Sequence, residues 1–288
     1  MDRQKILLQF DTDDQPSVFD SVVAIDSGEV DRLLRHQNVT PHNVRSLVHG
    51  AIFTRGPDDL RRTAIFIGGT DVLAAEAVRD EIVRTFFGPL RVSVMVDPNG
   101  ANTTAAAAVR AAAKTVELAG AQVLVLGGTG PVGQRVVRLA AREHALVRVG
   151  SRSLDRSNVV CEAVAAKVED AKLTPVATGS AEHLRQALEG VQVVIAAGAA
   201  GIELLSTEMR EQCQSLQVAV DLNAVPPLGI GGIEVSDRAV ERGGVKCFGA
   251  LAIGGTKMRL HKLAVKLLFE QRDQVFDAEE LYEIGRGL

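Results

Sequence analysis

"VLVLGGTGPVGQRVV", residues 123–137, decides how the rest of this chain is read. A short apolar run of the kind that forms a buried strand breaks into glycines, then resumes as "PVGQRVVRLAAREH" with apolar residues at helical spacing. Gly128, Thr129, Gly130, Pro131, Val132 and Gly133 fit G-x-G-x-x-G in that strand-to-helix context. One glycine permits the tight turn, one lets the backbone approach a pyrophosphate, and one lets helix pack closely on strand. The helix N-terminus adds unpaired N–H groups and a partial positive charge. A tight turn without a ligand is the bland alternative. The context favours dinucleotide binding.

In such a unit the second strand ends about 20 residues on, where an acid holds the ribose 2′-hydroxyl of NAD. Here "ALVRVG" runs into Ser151, Arg152 and Ser153, with no acid before Asp155. An arginine beside hydroxyls suits a 2′-phosphate through charge-assisted, bidentate hydrogen bonds, so the expected cofactor is NADP.

The 288 residues suffice for one large or two medium domains, and 46% hydrophobic with 24% charged residues is ordinary for a water-soluble globule. The net charge of −4, 3% aromatics and the lack of basic blocks argue against a nucleic-acid partner. No stretch approaches the roughly 20 apolar residues that span a bilayer, and "MDRQKILLQFDTDD" lacks a signal-peptide core, so the expected compartment is the cytoplasm. Three scattered cysteines and six histidines without H-E-x-x-H spacing suggest neither a disulfide framework nor a metal site.

Short apolar runs alternate with helical patterns throughout, the signature of α/β parallel sheets. Strands are expected at "KILLQF", "TAIFIGG", "RVSVMVD", "AQVLVLG", "ALVRVG", "KLTPVA", "VQVVIAAG" and "LQVAVDLN". A helix is expected from a Thr40 cap with Pro41 at its first position, another from "TKMRLHK", and a closing helix with a capping box at Asp277 and Glu280. The rhythm restarts near residue 115. This gives an N-terminal α/β domain over 1–115 and a Rossmann-type, doubly wound parallel domain over 116–288, with the final helices, about 272–288, packing back onto the first. The stretch "GGIEVSDRAVERGGVKC" leaves the sixth strand undefined.

Several hydride-transfer chemistries lack their residues. The only tyrosine, Tyr282, is followed by Gly285 and Arg286, so no Tyr-x-x-x-Lys acid exists, and zinc alcohol dehydrogenase ligands are missing. A His–Asp pair stays open, although no histidine stands beside a candidate site along the chain. What remains is hydride transfer needing little acid–base help, such as oxidation of a carbon between two nitrogens. The nitrogens delocalise the cation as hydride leaves, and the protein supplies positioning and electrostatics.

"LLQFDTD", "PSVFD", "NVTPHNV", "FTRG", "TAIFIGG", "FFGPLRVSVMVDPNGANTTAAA", "GGTGPVG", "PPLGIGGIE" and "FGALAIGGTKMRLHK" occur in one order. Together they resemble the NADP-dependent methylene-tetrahydromethanopterin dehydrogenases of methylotrophic bacteria, over essentially the whole chain. More distantly the chain is similar to bifunctional methylene-tetrahydrofolate dehydrogenases. The resemblance implies two α/β domains with a cleft between them, NADP on the C-terminal one, a pterin substrate, and oxidation of the methylene to the methenyl pterin in one-carbon (formaldehyde) metabolism. It also suggests a homo-oligomer, with a trimer as the favoured count.

Carried onto this chain, the resemblance assigns residues 128–133 and Arg152 to the NADP site. Ala197, Gly198 and Asn223 fall near the nicotinamide, with "PPLGIGGIE" as a wall beside it. Lys257 matches a lysine that orients the pterin; a solvated lysine in a helix's first turn is the rival reading. Asn102, Thr103 and Thr104 in "DPNGANTT" offer polar groups to the substrate, although helix capping accounts for at least one of them. Phe19 and Asp20 are weaker candidates, since an amphipathic helix would bury Phe19 regardless. Two rivals remain: a methylene-tetrahydrofolate dehydrogenase, with or without cyclohydrolase activity, and an NADP-sensing regulator without turnover. No residue signals the water activation a cyclohydrolase needs, so dehydrogenase activity alone is expected.

Overall fold

The computed structural model describes residues 3–288, which divide into two compact units: 3–103 with 258–288, and 104–257. Neither division point falls in a linker. Both run through helices, which is why composition marks no boundary and the sequence rhythm puts it near 115.

The first unit begins with β1 (Ile6–Asp11), α1 (Val18–Asp26), β2 (Arg32–His36), α2 (Val44–Ile52) and β3 (Thr63–Gly68). It continues with α3 (Val72–Thr85), β4 (Ser93–Val96) and the start of α4 (Ala101–Ala113). Strands β3 and β4 are buried at every residue and read as unbroken apolar runs, as central parallel strands covered on both faces must. The core gathers Phe10, Ile65, Ile67, Val94 and Val96 with Val44, Val48 and Ile52 of α2 and Val78 and Ile82 of α3.

The second unit carries β5 (Gln122–Leu126), α5 (Pro131–Arg142), β6 (Leu146–Ser151), α6 (Leu154–Ala165), β7 (Lys172–Ala177) and α7 (Ala181–Leu188). After these come β8 (Val193–Ala196), α8 (Thr207–Gln212), β9 (Val218–Asp221), β10 (Arg238–Arg242) and β11 (Val245–Phe248). Helix α9 (Ala250–Leu267) leads back to the first unit, where β12 (Val275–Phe276) pairs parallel with β4 and α10 (Ala278–Gly285) follows. The Asp277–Glu280 capping box is present.

The first sheet runs β12-β4-β3-β1-β2 and the second β10-β11-β9-β8-β5-β6-β7. Every pair is parallel except the β10–β11 hairpin. Omitting the hairpin's outer strand, the second sheet has the dinucleotide-binding strand order, with β5 as the first strand and the reversal between β5 and β8. Pro175 sits within β7, an edge strand, where its missing N–H breaks no ladder.

Several local readings differ from the sequence expectation. The mostly exposed strand β2 lacks the apolar run that marks the others, so pattern alone passes it over. Helix α2 starts at Val44 rather than after Thr40, because the Asn43 side chain folds back: its Oδ1 accepts from Thr40 N at 2.8 Å and its Nδ2 donates to Asn38 O at 2.8 Å. Helix α9 starts at Ala250, running straight through Gly254 and Gly255, so Lys257 sits two turns inside it rather than in its first turn. The unassigned "EVSDRAVERGGVKC" forms β10 and β11, turned by Gly243 and Gly244 at φ +61° and +79°.

Asp237 staples that hairpin. Its carboxylate accepts from Arg242 Nε at 2.6 Å, Arg242 Nη2 at 2.8 Å and Glu234 N at 2.9 Å, and the Arg242 bonds hold its pKa below the ordinary carboxylate value. A depressed carboxylate contributes stability above its unfolded pKa, about 3.9, and loses it as pH falls through the folded value. Asp237→Asn therefore lowers the thermal midpoint at pH 7, and the gap from wild type closes below about pH 4. An equal gap at pH 7 and pH 3 would contradict this staple.

Candidate dinucleotide and pterin sites

The second unit builds its site at the β5–β8 reversal. Beyond Leu126 the chain turns at Gly127, whose φ of +72° suits glycine. A Cβ on Gly127 would stand 2.7 Å from the Gly198 backbone, so the loops after β5 and β8 touch main chain to main chain. A Cβ on Gly133 would stand 2.2 Å from Gly127 O, which fixes how closely α5 approaches the strand. Gly128 N donates to Gly150 O at 2.9 Å, tying the loop to β6. By contrast, a Cβ on Gly130 would meet nothing nearer than 3.5 Å. A Cβ at Gly130 would make only ordinary van der Waals contact with Gly127 O and Ala197 O.

Gln134 N closes the first helical hydrogen bond to Gly130 O at 3.0 Å, and Gln134 Nε2 donates to Thr129 O at 2.9 Å. Pro131, at the first position of α5, has no N–H to leave unpaired. The N–H groups of Val132 and Gly133 have no intrahelical acceptor and point along the axis, as a phosphate requires.

At the end of β6, Ser151 is buried and its Oγ accepts from Ser153 N at 3.3 Å, while Ser153 Oγ caps α6 by accepting from Arg156 N. Arg152 between them is exposed and its side chain has no partner among the described residues. Ala197 and Gly198 follow β8, with Ala197 N donating to Leu126 O at 2.8 Å. Asn223 follows β9 and is 8% exposed. Its Nδ2 donates to Pro227 O at 2.9 Å and its Oδ1 accepts from Val225 N at 2.9 Å, so it shapes the "AVPPLG" turn, which holds a cis Pro226–Pro227 bond. Asp221 braces the same turn, accepting from Asn223 N at 3.0 Å and Ile230 N at 2.9 Å, while burial pushes its carboxyl pKa up. Sequence reasoning missed Gly127 and Asp221. A glycine ahead of the motif and an acid closing a strand were the available signals.

In the first unit, Asp97 closes β4 and organises the start of α4. Its Oδ1 accepts from Asn102 N at 2.9 Å and Thr103 N at 3.0 Å, and its Oδ2 from Thr103 Oγ1 at 2.6 Å. Asn102 Nδ2 donates to Val96 O at 2.6 Å and to Asp277 Oδ1 at 2.9 Å, and Arg79 pairs with the other oxygen of Asp277. Asn102 and Thr103 are both 0% exposed, so these groups serve the fold, while Thr104 is half-buried. Phe19 is 51% exposed, contrary to the expectation that α1 would bury it, because the buried face of α1 holds Asp20, Ser21, Val23 and Ala24 instead.

The reversal of this first sheet lies between β1 and β3. There Asp13 accepts from Thr70 N and Thr70 Oγ1, each at 3.1 Å, and a Cβ on Gly69 would strike Thr12 Oγ1. Lys257 in α9 is half-buried. One turn on, the imidazole of His261 is 1% exposed, lies 3.4 Å from Asp97 Oδ2 and packs on the Phe66 ring. Sequence reading left a His–Asp pair open without naming these two residues, which stand 164 positions apart along the chain.

The fold and glycine loop define a Rossmann-type α/β protein. Quinate dehydrogenase from Corynebacterium glutamicum, solved in complex with NAD, shares that fold at a TM-score of 0.54, with 13% identity over 99% of this chain and 100% of that one. A family model described as methylene-tetrahydromethanopterin dehydrogenase, N-terminal, matches residues 18–99. The bifunctional protein MdtA of Methylorubrum extorquens is 44% identical over 99% of both chains. An NAD(P)-dependent methylenetetrahydromethanopterin dehydrogenase of the same organism is 32% identical over 93% of both. The chain belongs to the methylene-tetrahydromethanopterin dehydrogenase family.

Two glycine variants separate packing from ligand approach. Gly133→Ala is expected to cost about 1–3 kcal/mol of stability through its backbone clash. Gly130→Ala stays within about 0.5 kcal/mol of wild type in chemical unfolding yet weakens NADP at least tenfold in a fluorescence titration. Unchanged NADP affinity in Gly130→Ala would rule out the backbone approach at that residue.

Proposed function

We propose that the chain oxidises methylene-tetrahydromethanopterin to the methenyl form, with NADP as hydride acceptor, in one-carbon (formaldehyde) metabolism. One observation carries this reading: the 32% identity, over 93% of both chains, to a relative described as an NAD(P)-dependent methylenetetrahydromethanopterin dehydrogenase. The glycine cradle, open at Gly130 and at the N-terminus of α5, fits a dinucleotide pyrophosphate. NADP, when bound, supplies the hydride acceptor.

The protein's own contribution is placement. The N–H groups of Val132 and Gly133 hold the pyrophosphate, with Gly128, Thr129, Gly130 and Pro131 forming the turn beneath it. Arg152 and Ser151 receive the 2′-phosphate, and the partnerless Arg152 guanidinium favours this. Ala197 and Gly198 give the nicotinamide a side-chain-poor surface, and Asn223 holds the neighbouring turn. Lys257 hydrogen-bonds the pterin and orients its methylene carbon. Thr104, Phe19 and Asp20 contact the substrate, while Asn102 and Thr103 set the start of α4 through Asp97. The methylene carbon loses hydride between two nitrogens that share the resulting positive charge, so no general base is required. The proposal includes a cytoplasmic homo-oligomer, a trimer by family likeness, with a small-molecule pterin as partner and neither nucleic acid nor a membrane surface. No helix among the described residues is long and apolar enough to cross a membrane.

One observation favours a second reading. The 44% identical relative is described as bifunctional, so a second pterin belongs in the test. Purified protein with NADP is offered methylene-tetrahydromethanopterin and methylene-tetrahydrofolate, and NADPH formation is followed. Higher kcat/KM with the methanopterin substrate supports the proposal; higher kcat/KM with the folate substrate promotes the second reading; no turnover with either leaves an NADP-binding sensor.

Variants assign the roles. Lys257→Ala is expected to lower kcat/KM for the pterin roughly 100-fold while NADP affinity stays within about twofold. Arg152→Ala is expected to raise the KM for NADP about tenfold or more, and that for NAD little. Wild-type turnover in the first, or an unchanged KM for NADP in the second, removes that residue from the site.

A further inference from the structure

His261 is a buried ionisable side chain that the proposed hydride transfer does not use. Its imidazole is 1% exposed, and neither Nδ1 nor Nε2 has a hydrogen-bond partner among the described residues. Buried polar groups are ordinarily paired, so an imidazole held this way calls for a reason. The ring lies against Phe66 of β3, with centroids 5.4 Å apart at 31°, which keeps its plane from turning freely. Nδ1 stands 3.4 Å from Asp97 Oδ2, an oxygen that also accepts from Thr103 Oγ1 at 2.6 Å. A closer approach of a few tenths of an ångström would complete the bond.

Asp97 is the residue that fixes the first turn of α4, through Asn102 N and Thr103 N. His261 lies one turn along α9 from Lys257, on the same helix face, since residues four apart are neighbours there. We infer that His261 is a positioning residue: its Nδ1–H donates to Asp97 and fixes the rotation of α9, and with it the direction in which Lys257 leaves that helix. This inference rests on the role proposed for Lys257. Hydrogen bonds that serve catalysis are often long in the free protein and tighten with substrate, which fits the 3.4 Å separation.

The test uses the full-length protein with NADP and methylene-tetrahydromethanopterin. His261→Asn keeps a donor near the Nδ1 position, while His261→Leu keeps apolar packing on Phe66 without one. The Leu variant is expected to lose roughly 10- to 100-fold in kcat per folded molecule, with the KM for NADP within about twofold of wild type, and the Asn variant recovers most of the rate. A purely structural role would move the thermal midpoint and leave turnover per folded molecule intact. Wild-type kcat in the Leu variant, or equal losses in both variants, overturns the inference.

Should the Leu variant fail to fold, proton NMR of the wild type decides. A downfield, slowly exchanging imidazole N–H resonance, absent from His261→Asn, is expected, and its absence from the wild type overturns the pair. If wild type itself turns over no methylene pterin, the functional reading fails instead, and the resonance still reports on His261 and Asp97.

Discussion

The contact of main chain on main chain at Gly127 and Gly198 is the constraint on which the dinucleotide site depends. Any side chain at Gly127 would meet the Gly198 backbone at 2.7 Å, and any at Gly133 would meet Gly127 O at 2.2 Å. The loops after β5 and β8 can close on one another because Gly127 lacks a Cβ, and α5 can start directly beneath them because Gly133 does. Parallel strands supply the frame: β5 pairs with β6 on one side and β8 on the other, so the sheet's connections diverge there and leave a crevice. The first turn of α5 then has two N–H groups, of Val132 and Gly133, without an intrahelical acceptor.

The first unit reaches a comparable arrangement by other means. Its sheet also reverses order, between β1 and β3, but the loops there carry hydroxyls and carboxylates, with Asp13 accepting from Thr70 and Asp11 from Ser17 N at 3.0 Å. A polar crest of this kind suits a small molecule rich in hydrogen-bonding groups, whereas the glycine cradle suits a diphosphate. Beneath the crest, Asp97 joins β4 to α4, and Asn102 joins both to the Asp277 cap of α10. Helix α9 adds His261 to this frame.

Much of this was legible in the residues. The glycine motif works only as glycine, so its spacing and its strand-to-helix context pointed to the fold before any geometry, and the buried apolar runs marked β3, β4, β5, β8 and β9. Strand β2 was illegible because its "RLLRH" is mostly exposed and lacks an apolar run. Helix α2 was misread at its start because Asn43 prefers its own turn to a Thr40 cap. Phe19 was expected inside because patterning puts the apolar residues of a helix inward, whereas the buried face of α1 holds Asp20 and Ser21 beside Val23 and Ala24 and its exposed face carries Val18, Phe19, Val22 and Ile25. The His261–Asp97 pair joins residues 164 positions apart, a distance only the tertiary fold can close.

The most direct measurement follows the hydrogen itself. Methylene-tetrahydromethanopterin carrying deuterium on its methylene carbon, turned over with NADP in ordinary water, is predicted to give NADPH with one deuterium on the nicotinamide. Mass spectrometry of the recovered NADPH reads this directly. NADPH carrying only solvent hydrogen would contradict direct hydride transfer from the pterin to a bound dinucleotide.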